Sequence, residues 1–336
     1  IQDAIAMIVD GRSLSSAVAS DAMREIMNGD TTDSQFGAFV TALRIKGETL
    51  EEIAGMAQVM REKSLNVKVD AVVADTCGTG GDGSSSFNIS TTSAFVVAGA
   101  GVLVAKHGNR AMSSNSGSAD VLEGMGVKID LSPTGVKRCI QETGFGFMFA
   151  QRYHPSMRFA AGPRKEIGIR TVFNILGPLT NPANATAHLI GVADPIYGEV
   201  MAKVLAQLGS TRALIVHGMD GLDELSISGE TQIWEMESGS VTSYTITPED
   251  LGLNRSSLKA LEARNADESI QILRSVLQGE EGPPRDVVLM NSGAALMAAN
   301  HANCLKDGIQ MAAESIDCGK ALRTLENIVR LSNELE

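Results

Sequence analysis

Hydrophobic residues recur at helical spacing along the first 67 residues, and from Val67 onward short apolar runs alternate with further helical stretches. Phe36, Phe39, Val40 and Leu43 fall at positions that line one face of a helix. The N-terminal pattern predicts a short first helix around Ile5, Ala6, Ile8 and Val9, and a second over 15–28 stopped by Gly29. A third spans 33–45 behind the cap residue Thr32, and a fourth spans 50–63, entered through Glu48 and Thr49. Beyond them, the runs at 71–75, 102–105, 127–129, 147–150, 187–191 and 213–217 read as strands, with helices over 94–100, 133–143, 157–168 and 197–208. Residues 231–236 and 241–246 alternate around Ser238-Gly239 as a β-hairpin does, and 174–181 (NILGPLTN) reads as a loop held by Gly177, Pro178 and Pro182. The last third is helical again, over 268–277, 287–299, 309–316 and 320–331.

Alternating β and α signals imply an α/β fold with a mostly parallel central sheet flanked by helices, here preceded by a small all-helical N-terminal domain. The expected division is 1–67 for the helical domain, joined by helices within 155–182, and 68–336 for the α/β domain.

The densest chemistry lies in 71–126. A buried strand runs into a glycine-rich loop (Gly78, Gly80, Gly81, Gly83), after which Asn88, Ser90 and Thr91 stand at the start of a helix. Glycines let backbone N–H groups approach a ligand, and a helix N-terminus offers unpaired donors at the positive end of its dipole. Such a nest favours an anion, most often phosphate. No carboxylate occurs between Asp82 and Asp120, whereas Lys106, His107 and Arg110 fall inside that window.

Gly78, Gly80 and Gly83 formally satisfy the dinucleotide fingerprint, but the acidic residue expected roughly 20 positions on is missing. A P-loop fails as well, because Ser84 and Ser85 stand where Lys and Ser/Thr are required. A phosphate or pyrophosphate cradle remains, against the plainer alternative of a tight turn that binds nothing.

Composition narrows the classes. A formal net charge of -12 argues against nucleic-acid or acidic-membrane partners, and apolar runs are broken well short of the roughly 20 residues a membrane helix needs. Cys77, Cys139, Cys304 and Cys318 show no C-x-x-C spacing, which fits a reducing cytoplasm rather than a zinc site or a disulfide framework. No signal-peptide pattern is visible at the start.

After the strand ending at His217, Asp220, Asp223 and Glu224 crowd one loop. They form either a solvated acidic turn or hard oxygen ligands suited to Mg²⁺ completed by substrate phosphates. Arg164 offers a planar fork that matches a carboxylate bidentately, or is one more surface charge beside Arg158 and Lys165. His107 is either a substrate contact or a satisfied histidine at a strand end. His154 and His301 belong to no visible constellation, and Asp75 has no evident role.

Six motifs together carry a resemblance: GTGGD (78–82), NIST (88–91), KHGNRA (106–111), SGSADVLE (116–123), GIRTVFNILGPLTNP (168–182) and HGMDGLDELS (217–226). Collinear over nearly the whole chain, they resemble the anthranilate phosphoribosyltransferases. The resemblance implies the nucleoside phosphorylase/phosphoribosyltransferase-like two-domain plan, a cytoplasmic homodimer and Mg²⁺, two ions per site. It also implies transfer of the phosphoribosyl group of phosphoribosyl pyrophosphate to the amine of anthranilate, in tryptophan biosynthesis. Gly78, Thr79, Gly81, Asp82, Asn88, Ser90, Thr91 and Lys106 would then hold the phosphoribosyl donor. Ser90, Asp223 and Glu224 would ligate metal. Gly78, His107, Asn109, Arg164, Gly177 and Pro178 would form the anthranilate site, with Lys106, Asn109 and Arg164 as the catalytic set. Two departures flank these positions: AAGP before Arg164, and Asn115 where lysine is common. The alternatives are a pyrimidine-nucleoside phosphorylase on the same plan, which would not need the Asp223-Glu224 pair, and a non-catalytic nucleic-acid-binding relative.

Overall fold

A computed structural model describes residues 1–111 and 115–335. The chain opens with four helices, α1 (Gln2–Val9), α2 (Ser16–Asn28), α3 (Asp33–Lys46) and α4 (Leu50–Lys63). Their ends follow the local chemistry. Thr32 and Thr49 each close a reciprocal capping box, and Gly29 terminates α2 in the left-handed conformation. Glu52, the second member of the Thr49 box, is fully buried and also accepts from the Leu14 N–H at 2.8 Å and from Lys46 Nζ at 2.9 Å.

The α/β part follows in the order β1 (Ala74–Gly78), α5 (Ile89–Gly99), β2 (Val104–Gly108), α6 (Ser118–Gly124), α7 (Pro133–Thr143), β3 (Phe145–Phe149) and α8 (Ala150–Tyr153). Then come α9 (Arg158–Ile167), α10 (Phe173–Leu179), β4 (Ala187–Gly191), α11 (Gly198–Gln207), β5 (Arg212–Gly218), β6 (Thr231–Glu237) and β7 (Ser240–Ile246). Four helices close the chain: α12 (Ala266–Leu277), α13 (Pro283–Ala298), α14 (Leu305–Asp317) and α15 (Lys320–Glu334).

The described residues form a seven-stranded sheet in the order β3-β2-β1-β4-β5-β6-β7, parallel from β3 to β5 and antiparallel over the β6–β7 hairpin. The strand sequence therefore reverses direction between β1 and β4. In open α/β sheets the crevice at the carboxyl ends of the strands beside such a switch point is where ligands bind.

Alternation along the central strands separates two cores. Leu189, Leu214 and Val216 join the cluster beneath α5 and α13–α15, while Ile190, Ala213 and Ile215 face the cluster shared by α1–α4, α9, α10 and α11. The N-terminal helices thus lie over one face of the sheet. Helix α9 packs on α2 and α3, and α10 on α4. Arg61 of α4 donates to the Leu179 carbonyl at 2.8 Å and the Leu208 carbonyl at 3.1 Å, tying α4 to the carboxyl ends of α10 and α11.

Two local expectations fail. Residues 127–129 form no strand: their apolar side chains are buried, but the Lys128 N–H donates to Ser332 Oγ of α15 at 3.0 Å, not to the sheet. The expected loop at 174–181 is mostly helix α10, with Gly177 and Pro178 inside it. Proline's fixed φ is itself helical, and near a helix end it removes only one backbone bond. Burial of Phe173, Ile175, Leu176 and Leu179 outweighs that loss.

Candidate active site

The glycine loop leaves β1 at the switch point and is stitched to the neighbouring strand. The Thr79 N–H donates to the Gly191 carbonyl of β4 at 2.9 Å, and Thr79 Oγ1 accepts from the Ala193 N–H at 3.1 Å. Asp223, in the loop after β5, reaches across β4, and its Oδ2 accepts from the Gly80 N–H at 2.7 Å. Only glycine fits at 78, because a Cβ there would land on the Asp223 carboxylate. Gly80, Gly81 and Gly83 all take positive φ, which turns the loop back on itself. Asp82 caps the next turn, accepting from Ser84 Oγ at 2.7 Å.

Beneath this loop lies a buried ammonium. Lys106, on β2 and 1% exposed, donates to the Thr76 carbonyl at 2.5 Å and to Ser90 Oγ at 3.1 Å. Ser90 and Thr91 occupy the first turn of α5, so the helix N-terminus faces the same space. Burial pulls the Lys106 ammonium below its ordinary range, while Asp75, Cys77 and Glu224 favour its charged form. Asn88 does not cap α5 with its side chain. Its amide donates to Ser116 Oγ at 2.9 Å, and its Oδ1 accepts from Thr91 Oγ1 at 3.3 Å.

Glu224 is buried and its neighbour Asp223 is half-buried. Burial first, then repulsion from Asp82, pushes Asp223 up to about 7, against the pull of the Gly80 N–H and Arg170. Glu224 lies well above its ordinary range through burial and the neighbouring Asp223, opposed by Lys106 and a hydrogen bond from the Ser90 backbone. Such a pair is stabilised by a cation. With Ser90 Oγ it supplies the hard oxygens that suit Mg²⁺, the remaining positions falling to substrate phosphates. Among the described residues no three His, Cys, Asp or Glu side chains converge as a closed metal cage. Asp220 does not belong to this pair. Its Oδ2 is taken by the hydroxyls of Ser226 and Ser228 within its own turn.

The prospective acceptor side is built from β2, α9 and α10. His107, at the end of β2, packs its ring 4.9 Å from that of His154. His107 is bonded to the Gly177 backbone and His154 to the Thr180 backbone, and each Nε2 is buried without a partner. Burial holds His107 well below its ordinary range and His154 down to about 4, so both rings are neutral near pH 7. Arg164 of α9 lies with its guanidinium 5.4 Å from the centroid of Phe173 and has no carboxylate partner among the described residues. Burial lowers its pKa. Pro178 is buried one residue beyond Gly177. Asn109 stands apart from these contacts, its Oδ1 accepting from the Arg110 N–H at 2.8 Å and its carbonyl from the Ala119 N–H at 3.2 Å.

Three participants escaped the sequence reading. Asp75, fully buried under Lys106, accepts from Asn181 Nδ2 at 2.7 Å and from the His107 N–H at 3.3 Å. The same Asn181 nitrogen donates to the Ala105 carbonyl at 2.7 Å. Arg170 donates to the Gly80 carbonyl at 2.7 Å. Asp75 and Asn181 lie 106 positions apart in the chain, and no local pattern joins them.

A glycine-rich loop, a buried lysine and a carboxylate pair meet at the switch point of a parallel sheet with helices over one face, the plan of a two-domain glycosyl-transferring enzyme. Family models agree: residues 2–64 match the helical bundle domain of a glycosyl transferase family and residues 70–322 its a/b domain. The chain is 52% identical over 337 residues to anthranilate phosphoribosyltransferase of Dehalococcoides mccartyi, covering 100% of this chain and 99% of that one. It is 54% identical over 334 residues to the Chloroflexus aggregans enzyme, covering 99% and 98%. The crystal structure of the Thermus thermophilus enzyme superposes with a TM-score of 0.94 at 43% identity, over 98% of this chain and 99% of that one. The Saccharomyces cerevisiae enzyme in complex with PRPP and Mg superposes at 0.88 and 32% identity, over 96% and 94%. The chain belongs to the anthranilate phosphoribosyltransferase family. Neither the nucleoside phosphorylase nor the nucleic-acid-binding alternative is favoured.

Proposed function

We propose that the protein transfers the phosphoribosyl group of phosphoribosyl pyrophosphate to the amine of anthranilate, releasing pyrophosphate, as a step of tryptophan biosynthesis. The observation that carries this reading is the carboxylate pair Asp223-Glu224 folded against a glycine loop whose Gly80 N–H one of them already occupies. Two adjacent carboxylates repel each other, and a cation shared with a phosphate-bearing ligand on the neighbouring loop relieves that repulsion.

The donor's diphosphate is assigned to Gly78, Thr79, Gly81, Asp82, Asn88, Ser90, Thr91 and Lys106. Asp223, Glu224 and Ser90 would hold Mg²⁺, two ions per site. The bound metal would supply Lewis-acid stabilisation of the leaving pyrophosphate. As the bond from the ribose C1 to pyrophosphate breaks, negative charge grows on the leaving oxygens. Lys106 and the loop N–H groups would stabilise that charge, a contribution that usually dominates catalysis. Arg164 would grip the anthranilate carboxylate with its two-pronged fork, the ring lying near Pro178 and Gly177. With Asn109, it holds the amine toward C1, which is a proximity contribution. The neutral His107 can accept a hydrogen bond from the amine through Nε2, so that the nitrogen's lone pair faces the sugar. The aniline-type nitrogen is weakly basic, and its proton leaves during or after attack, to the substrate's own carboxylate.

The proposed domains are 1–67 with the helices of 155–182, and 68–336. The resemblance to the anthranilate phosphoribosyltransferases supports a homodimer. Tryptophan-pathway chemistry and unpaired cysteines support a cytoplasmic location. Incubation with anthranilate, phosphoribosyl pyrophosphate and Mg²⁺ should abolish anthranilate fluorescence with stoichiometric release of pyrophosphate. Unchanged fluorescence, with thymidine and phosphate consumed instead, would reverse the assignment.

A further inference from the structure

Arg170 has no assigned part in this site, yet its position is unusual. It follows Gly168, the left-handed stop of α9, and so sits on the strand of chain between the helix that carries Arg164 and α10. From there it crosses to the glycine loop and donates Nη1 to the Gly80 carbonyl at 2.7 Å. That carbonyl belongs to the same planar peptide as the Gly81 N–H, and in a trans peptide the two point in opposite directions. The Gly81 N–H has no partner among the described residues, whereas the Gly80 N–H is taken by Asp223.

We propose that Arg170 is a positioning residue for the phosphoribosyl donor: by holding the Gly80 carbonyl on the outer side of the loop, it turns the Gly81 N–H inward as a diphosphate ligand. The proposal rests on the assignment of the loop to that substrate. Two observations, together with the chemistry of a charged donor, support it beyond the single hydrogen bond. A Cβ at 81 would fall on Arg170 Nη1, so the guanidinium comes this close to the loop because residue 81, whose positive φ also suits glycine, carries no side chain. A cationic donor on a peptide carbonyl polarises the whole amide and strengthens its N–H as a donor. The guanidinium lines a cleft of about 150 Å³ shared with Gly81, Thr171 and Asn174.

The test compares the wild type with Arg170→Met, Arg170→Lys and Gly81→Ala by calorimetric titration of phosphoribosyl pyrophosphate with Mg²⁺, alongside KM for each substrate. Arg170→Met should weaken donor binding about tenfold, as expected for loss of a charged hydrogen bond, with KM for anthranilate within about twofold of wild type. Arg170→Lys, which can still reach the carbonyl, should recover part of that loss. Gly81→Ala displaces Arg170, so Gly81→Ala with Arg170→Met should cost less than the product of the two single effects. Equal rises in both KM values, fully multiplicative effects, or donor affinity unchanged in Arg170→Met would overturn the proposal. A wild-type protein that binds no donor would instead overturn the substrate assignment on which it rests, and is seen in the first titration.

Discussion

The two halves of the site are built on different principles. The half assigned to the phosphoribosyl donor hangs from the carboxyl ends of β1, β2 and β5, and its polar groups are already bonded to one another: Lys106 to Thr76 and Ser90, Asp223 to Gly80, Asp75 to Asn181. The half assigned to anthranilate is built from β2, α9 and α10, where among the described residues Arg164 lies against the face of Phe173 without a carboxylate partner and the Nε2 atoms of His107 and His154 have no partner. One side is preorganised by internal contacts, and the other waits for a ligand to supply them. The contrast explains why damage to the first should impair chemistry, while damage to the second should mainly impair capture of one substrate.

The largest effect expected is metal removal. A chelator should abolish activity and Mg²⁺ should restore it, because the two neighbouring carboxylates, one buried and one half-buried, need a cation to draw the leaving pyrophosphate toward them. Full activity in a rigorously metal-free assay would break the account of the strand-borne half. Next, Lys106→Met should lower kcat by roughly 10²–10³-fold, the scale of a lost electrostatic contact to a leaving group. It should also lower the melting temperature, since Asp75 and Glu224 lose the ammonium between them.

Arg164→Ala sharpens the comparison from the other side. KM for anthranilate should rise roughly 10- to 100-fold, with KM for phosphoribosyl pyrophosphate within about twofold, as expected when a charged hydrogen-bonding fork is lost. Equal rises for both substrates would mean that the two halves are not separable.

The smallest effect concerns stability against pH. His154 is depressed to about 4 and His188 to about 3, both chiefly by burial. A histidine whose folded pKa lies below its unfolded value binds more protons when unfolded, so stability falls as pH drops from about 6.5 toward 4. Thermal melts should decline over that window, and His188→Gln should flatten the slope even if it lowers the melting temperature throughout. An unchanged slope would show that His188 is not buried in its neutral form.

What the sequence disclosed follows from how local the causes are. The strand–loop–helix at 74–99 is visible because glycine placement, an apolar strand and a helix start lie side by side in the chain, and the hairpin at Ser238-Gly239 is visible because two positive-φ residues sit between alternating strands. Helix α10 was hidden because Gly177 and Pro178 are loop residues by propensity, and only burial against α4 makes them helical. Residues 127–129 have the composition of a strand, but α15 takes the Lys128 N–H that a sheet neighbour would need. In the site, charge crowding marked 220–224 but could not show that Asp220 turns back onto Ser226 and Ser228. Asp75, Asn181 and Arg170 act through partners far away in the chain, so their parts become legible only once the strands are in register.

The most direct test is a crystal structure of the protein soaked with phosphoribosyl pyrophosphate and Mg²⁺. The account predicts diphosphate density against residues 78–82, with metal bridging it to Ser90, Asp223 and Glu224, Lys106 beside the leaving oxygens, and the Gly80 N–H released from Asp223. Ordered substrate elsewhere on the molecule, with the Asp223–Gly80 bond intact and no metal at the carboxylates, would contradict it.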